Sequence, residues 1–560
     1  MESVSNVPLQ QREHEKGPEL MGSLSTGMVV APQPYAVEVG ALVLRAGGNA
    51  FDAAIATAFA QMVVDPQMCG IGGFGCMTVY DARRDKSVVI DFNARAGRNA
   101  TPDQWQNSIV DEIWTGYGWV LDDQSNDIGY GAIGTPGTVA GLAELHRGFA
   151  SLAWADLLQP AIDLAKHGFL VSPELAQMFN SPDTGDLVGI RTRLFFNEES
   201  RRLYLNDDGE PYGPGQLFRN PEYAATLERL AELGPQEFYS GDMARQIADD
   251  LARNGSTITL DDLQAYEPVT LEPVAGTYLG HDIRTNHAPG GGPSIVEMLN
   301  ILEDDDLPAM GHNSEEYVYT VARAQIAAMI DRADCVGDPC FVDVPTDRLI
   351  SKSHAADWRA RLATGEKIVA PRYHPDGKTT THVSVIDKNR NSIALTHTLG
   401  SSSGVVTPGL GFMYNNAMNC FDPRPGRVNS IEPGKGRITG IAPTITFVND
   451  EPAIILGAPG GTRIMTGIFH VLVNAIAFGM SAVEAVSAPR FDCQSDILDG
   501  EARIPSWVMQ AAADRAGLKR WVNPAPWGNF AYVQAVLVDQ ENGRVTGGAD
   551  PRGGGAAMSG

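Results

Sequence analysis

The segment Gly377-Lys378-Thr379-Thr380-Thr381-His382 joins a helix-patterned stretch to an alternating strand pattern and holds three hydroxyl nucleophiles in a row. If the peptide bond before one of them is cut, that threonine carries its own base: the new α-amino group, with a reference pKa of about 8, accepts a proton at neutral pH. No histidine partner is then required. Consecutive threonines also suit a strand through β-propensity alone, so this chemistry needs a second element. Gly457-Ala458-Pro459-Gly460-Gly461-Thr462-Arg463 offers one. There a strand ends in a Pro-Gly-Gly turn, and glycine lets two adjacent N–H groups point the same way, as an oxyanion hole demands. Taken alone, that sequence is an ordinary turn.

Other motifs match by pattern and fail by context. Gly70, Gly72 and Gly75 satisfy GxGxxG, but a helix pattern precedes them and a strand follows, the reverse of a dinucleotide site. Close backbone packing is the expectation there. Gly400, Ser402 and Gly404 satisfy GxSxG, yet Val405-Val406-Thr407-Pro408-Gly409 cannot start the helix that a nucleophile elbow needs. The acidic run Glu303 to Pro308 reads as a solvated loop after a helix. His312, His374, His382 and His397 show no ligand spacing and are expected in core or turns. Six cysteines without a CxxC pair fit reduced thiols and a cytoplasmic location, with no zinc site and no disulfide framework. No cofactor or metal is implied.

The elements that would position the threonines follow from periodicity. Amphipathic helices are expected at 35–46 and 49–64 around a Gly47-Gly48 break, then at 138–147, 154–167, 221–232, 241–253, 293–302 and 315–333. Paired strands are expected at 76–80 and 87–92, across the polar turn DARRDK. Past Asp376 the texture changes to strands at 382–387, 392–398, 442–448 and 452–456, followed by a helix at 464–478 and a late strand at 535–539. A helix-rich first two thirds and a strand-rich last third suggest packed layers of α and β. Residues 1–24 read as a mobile arm without a secretory apolar block, and no apolar stretch is long enough to span a bilayer. The chain has 560 residues, with 68 acidic side chains against 42 basic ones and a net charge of −26, which argues against nucleic acid as a partner. Its 60 glycines exceed the usual share of roughly 7%.

TTH followed by VSVID, then LTHTLGSSSG, FMYNNAMNCF, APTITF and GAPGGTRI, stand in an order that resembles the small-subunit half of the gamma-glutamyltranspeptidase family. AGGNAFDAAIATAFA, DPQMCGIGGFG, GTPGTVAGL, LQPAIDLAKHGF, GPQEFYSGDMARQIA, ITLDDLQAYEPV and GDPCFVDVP are similar to its large-subunit motifs, so the likeness runs from about Gly27 to Arg552. The resemblance implies an α+β fold, the four-layer αββα sandwich of N-terminal-nucleophile hydrolases, made as one precursor and split by self-cleavage. It divides the chain into a large part, 25–379, and a small part, 380–560, which stay associated. Residue by residue it implies that Thr380 is the nucleophile, that Thr398 hydrogen-bonds it, and that Gly460 and Gly461 form the oxyanion pair.

The family's head-group positions read differently here. The arginine for a substrate α-carboxylate is Asn93, with Arg95 two residues on as a candidate substitute. The positions for the α-amino group are Gly400, Ala417 and Cys420, and the tandem serines are Thr439 and Gly440. Several charge-assisted hydrogen bonds, each worth roughly 1.5–3 kcal/mol, are thereby removed. The stretch from Phe421 to Pro443 is shorter than in members with a lid loop. The expectation is an amidohydrolase or acylase acting on a small-molecule amide, not selective for γ-glutamyl and similar to the cephalosporin-acylase-like and oxamate-hydrolase-like branches. Acyl transfer is a possible side activity. The alternatives are a glutathione hydrolase with a head-group site rebuilt around Arg95, and a catalytically silent binding scaffold.

Overall fold

The computed structural model describes residues 27–112, 118–185, 187–370, 380–522, 527 and 530–560. The expected N-terminal arm, His374 and Thr379 lie outside the described residues. Thirteen strands make two antiparallel sheets. The first runs β13 (Ala556–Ser559), β1 (Met28–Ala31), β7 (Thr381–Ile386), β8 (Ser392–Thr398), β2 (Phe74–Asp81), β3 (Lys86–Phe92), β4 (Val269–Leu271). The second runs β12 (Val545–Ala549), β11 (Gln534–Val538), β10 (Glu451–Gly457), β9 (Thr444–Val448), β6 (His281–Thr285), β5 (Val274–Tyr278).

Strand alternation sorts the apolar side chains into three cores. Val383, Val385, Ile393 and Leu395 face helices α1 (Pro34–Arg45), α2 (Ala50–Val64), α3 (Thr138–Phe149) and α4 (Trp154–His167). Ile386, Ala394, Ile445, Phe447, Ile455 and Val536 meet between the sheets. Ile283, Ile454 and Leu456 face α5 (Gly292–Leu302), α6 (Glu315–Cys335) and α7 (Arg463–Ile476). The order helix, sheet, sheet, helix is the expected αββα sandwich.

Helix α2 does most to fix the threonine segment. Its N-cap Asn49 and N3 residue Asp52 form a reciprocal capping box, and all fifteen of its residues are buried. A buried glutamine inside such a helix must satisfy its amide. Gln61 does so on the sheet: its Nε2 donates to Thr381 Oγ1 at 2.9 Å, and its Oε1 lies 2.9 Å from His397 Nε2.

Strands from before and after residue 380 interleave in both sheets, so the helix-first, strand-last division expected from the sequence gives way to a mixed core. β8 is flanked by β7 on one side and by β2, over a seven-residue register, on the other. The unexpected strands have physical reasons. Met28–Ala31 is buried on both faces and shows no alternation, Val545–Ala549 is glycine-rich, and the hairpin 274–285 carries as many polar as apolar residues.

Candidate active site

Antiparallel register brings the two key hydroxyls together. Thr381 pairs with His397, so one step toward the open end of the hairpin sets Thr380 opposite Thr398. There Thr380 Oγ1 donates to Thr398 Oγ1 at 2.9 Å, and Thr398 Oγ1 also accepts from the Gly400 N–H at 2.8 Å. Glycines hold this strand end from behind: a Cβ on Gly73 would meet the Thr398 carbonyl oxygen at 2.3 Å, and one on Gly75 the Thr396 carbonyl oxygen at 2.2 Å. The GxGxxG run thus serves close packing, as expected. Thr380 is 5% exposed and has φ 94°. A β-branched residue rarely occupies that region, and such strain costs of order 1–3 kcal/mol.

The Pro-Gly-Gly turn needs its glycines. Gly460 has φ 139° and Gly461 φ 56°, and a Cβ on Gly460 would come within 2.6 Å of Ala531 Cα. Neither N–H donates to an acceptor among the described residues. Both lie just before α7, whose N-terminus adds a positive dipole end. A Cβ on Gly440 would meet the Gly461 carbonyl oxygen at 2.4 Å, which accounts for glycine where the resemblance sets a serine.

One cavity connects these groups. Thr380, Thr398, Gly400, Cys420, Thr439, Gly440 and Gly461 line it, joined by Phe74, Ser401, Asn419 and Arg437. Gly460, Asn93, Arg95 and Ala417 are not in its wall. Asn93 turns its Nδ2 to the Arg437 carbonyl oxygen at 2.8 Å. Arg95, the candidate carboxylate partner, donates instead to the Glu267 carbonyl oxygen at 2.8 Å and stacks 4.8 Å from the Tyr266 ring centre. Its backbone is bridged to Thr135 and Gly436, and its guanidinium is taken up by Glu267 and Tyr266, neither of which lines the cavity. Ala417 is buried, its N–H taken by Asn415 Oδ1 at 3.0 Å. Gly400 has φ 69°, and Asn416 Oδ1 fills the space a side chain there would need.

Arg437 was missed by the sequence reading. The signal available was a basic residue two positions before Thr439 in GKGRITG; its position depends on Ala94–Ala96 pairing with 435–437 through the Ala96 N–H to the Lys435 carbonyl oxygen at 2.9 Å. The Phe421–Pro443 stretch folds back as a compact loop, with the Asp422 N–H bonded to the Asn429 carbonyl oxygen at 2.9 Å.

His312, His382 and His397 fall in core or turn, as expected. His382 lies between the sheets, with Nδ1 2.8 Å from Thr396 Oγ1 and Nε2 2.9 Å from Ser384 Oγ. Burial, aided by the neighbouring His397 ring, pulls His382 down to about 3, and burial alone takes His397 equally low, so both are neutral. His312 bonds Asn474 Oδ1 at 3.0 Å. Ser402 is buried and no helix follows it over residues 403–416, so it is no elbow. In the acidic run, Glu303 pairs with Lys352 and Asp304 with Arg359. Glu297, Asp331 and His354 cluster elsewhere, with Asp331 held by Trp358 Nε1 at 2.6 Å and by Arg348 at 3.5 Å. No helix among the described residues is long and apolar enough to cross a membrane.

Known proteins resemble the chain over nearly its whole length. An acylase ACY 1 proenzyme from Pseudomonas sp. (strain V22) is 38% identical over 500 residues, covering 88% of this chain and 87% of the relative. The glutathione hydrolase proenzyme of Escherichia coli (strain K12) is 32% identical over 558 residues, covering 94% and 90%. The crystal structure of cephalosporin acylase from Bacillus halodurans superposes with a TM-score of 0.84 at 26% identity and 99% coverage of both chains. The family model described as gamma-glutamyltranspeptidase matches residues 36–560, and the chain belongs to the gamma-glutamyltranspeptidase family.

Proposed function

We propose that the protein is a self-processing acylase in which Thr380 is the nucleophile both of its own cleavage and of amide hydrolysis. The observation that carries this is the Thr380–Thr398 hydroxyl pair opening on a cavity that Gly440 and Gly461 also line. In the continuous chain the Thr380 hydroxyl adds to the carbonyl carbon of residue 379, the peptide rearranges to an ester with release of the Thr380 α-amino group, and water then hydrolyses that ester to the free Thr380 hydroxyl and a carboxylate at 379. The φ torsion of Thr380 exists only while that peptide is intact, so cleavage relieves its strain. In the divided enzyme the freed amine takes the hydroxyl proton as Oγ1 attacks a substrate amide. The N–H of Gly461 in the cavity wall, with that of Gly460 beside it in the same turn, holds the tetrahedral oxyanion. The leaving amine departs with the proton, and water hydrolyses the acyl ester to regenerate Thr380. Interleaved strands keep the two pieces together. A cytoplasmic location belongs to the same proposal, and cell fractionation checks it.

The acyl group is not γ-glutamyl in this reading, because Asn93, Gly400, Ala417 and Cys420 offer neither the cation nor the carboxylate that a zwitterion would need. One observation favours the rival glutathione hydrolase: Asn419 Oδ1 is buried in the cavity wall without a hydrogen-bond partner and could accept from an ammonium group. A single neutral acceptor is a weak substitute for a carboxylate. Turnover of acyl-varied p-nitroanilides by wild type and Thr380→Ala decides. The proposal expects Thr380-dependent hydrolysis with γ-glutamyl among the poor substrates, and γ-glutamyl turnover equal to that of the preferred amide refutes the selectivity.

A further inference from the structure

Buried carboxylates in this protein are met by guanidinium groups or by N–H donors. Asp127 pairs with Arg193, Asp550 with Arg490 and Arg552, and Glu501 with Arg552. Asp52 takes the N–H groups of Asn49, Ser151 and Leu152. Glu297 differs. It is 1% exposed in α5, a helix buried along all eleven residues, and its Oε1 has no hydrogen-bond partner among the described residues. Cations of the neighbouring helices are engaged elsewhere: Arg332 with the carbonyl oxygens of Pro289, Gly290 and Thr439, and Lys352 with Glu303. A carboxylate left so is costly unless something else supplies positive charge.

The Oε1 atom faces a built cluster. His354 Nε2 stands 3.5 Å from it and 2.8 Å from Asp331 Oδ2, and the three ligand atoms all lie within 4.8 Å of one another. Atoms bound about 2.0–2.2 Å from one tetrahedral ion stand roughly 3.4 Å apart, so a single ion fits among them. Two carboxylate oxygens and one imidazole nitrogen suit zinc or manganese, whereas calcium asks for about six to eight oxygens. Trp358 Nε1 donates to Asp331 Oδ2 at 2.6 Å, the kind of outer bond that orients a ligating carboxylate. Arg348 is the group that gives way. Its contacts are long, 3.5 Å to Asp331 Oδ1 and 3.4 Å to His354 Nδ1, and its side chain is 49% exposed. A ring that ligates through Nε2 carries its proton on Nδ1, which turns Arg348 out to solvent. The three residues stand on three helices with no motif spacing, so the sequence shows no sign of them.

We propose that Glu297, Asp331 and His354 form a structural site for one divalent transition cation, zinc or manganese. The ion ties the helix Lys352–Ala363, the last helix before Thr380 among the described residues, to α5 and α6. After division at Thr380 it fastens that end of the large piece. Asp331 precedes Arg332, which holds the carbonyl oxygen of Thr439 in the catalytic cavity wall. The ion thus steadies the site from outside without touching substrate.

The test uses the full-length protein as purified, stripped with a chelator, desalted, and titrated with Zn2+ and separately with Mn2+. Elemental analysis should find about one equivalent of either ion per chain. The unfolding midpoint should rise by about 2–3 °C at a hundredfold excess over Kd. Glu297→Gln keeps the shape and should lose both the equivalent and the shift. Trp358→Phe removes only the outer hydrogen bond and should weaken binding by about 10- to 100-fold. A protein that takes up neither ion overturns the proposal. Uptake that Glu297→Gln leaves unchanged also overturns it, because the ion then sits on other groups such as the exposed Cys340. Should Glu297→Gln fail to fold, His354→Gln, at a partly exposed position, decides in its place. No readout uses a substrate, so this site and the acylase reading stand or fall separately.

Discussion

Replacing Thr398 by valine keeps the shape of a buried side chain and deletes one oxygen. That oxygen accepts from the Thr380 hydroxyl at 2.9 Å and from the Gly400 N–H at 2.8 Å, so both donors lose their acceptor. Two unmade hydrogen bonds at about 0.5–1.5 kcal/mol each lower stability by roughly 1–3 kcal/mol. The effect on rate comes through orientation. Without Thr398 the Thr380 hydroxyl has no partner fixing its rotamer, and a loss of about 1.4–2.7 kcal/mol of positioning slows turnover by ~10- to 100-fold. Because Thr398 acts on the nucleophile, kcat and kcat/KM should fall together. Thr398→Ser restores the oxygen and should recover wild-type kcat to within about threefold. The assay is steady-state hydrolysis of the best anilide, with self-cleavage followed on a gel. A valine variant with wild-type kcat and normal processing refutes the positioning role.

Gly460→Ala sets a Cβ 2.6 Å from Ala531 Cα at φ 139°. Displacing the turn should cost about 10²- to 10³-fold in kcat, the scale of losing one oxyanion donor, and an alanine variant turning over at the wild-type rate contradicts the assignment. His382 is held at about 3, below its unfolded value, so its neutral form stabilises the fold above pH ~6.5 and that stability is lost as pH falls toward 3. The stability gap between wild type and His382→Asn, measured by denaturant unfolding, should therefore narrow by about 1 kcal/mol between pH 7 and 5.5. A gap that widens over that range refutes the neutral buried ring. The acid limb of the rate profile should be unmoved by the same substitution, because the base is the α-amino group.

What the sequence revealed depended on how local the information was. The hairpin carrying Thr380 and Thr398 was legible because alternating side chains on 382–386 and 392–398 fix both strand and register. The Pro-Gly-Gly turn was legible because positive φ at two successive positions requires glycine. Ser402 could be discounted from the absence of a following helix. Other features rest on long-range pairing. Met28–Ala31 has no polar alternation to betray a strand, since helix and sheet cover both its faces. Arg95 looked like a substitute for the arginine missing at 93 because two residues along a strand share a face. Its pairing with Thr135 and Gly436 and its stacking on Tyr266 take it elsewhere. Arg437 could be counted in the sequence but not placed, since its position is set by residues more than 300 positions away.

The most direct test of the central claim is the N-terminal sequence of the smaller fragment in the purified, active enzyme. The account requires it to begin Thr380-Thr381-His382, the remainder of the chain being the co-purifying partner. An active protein that is a single undivided chain, or a fragment that begins at any other residue, contradicts it.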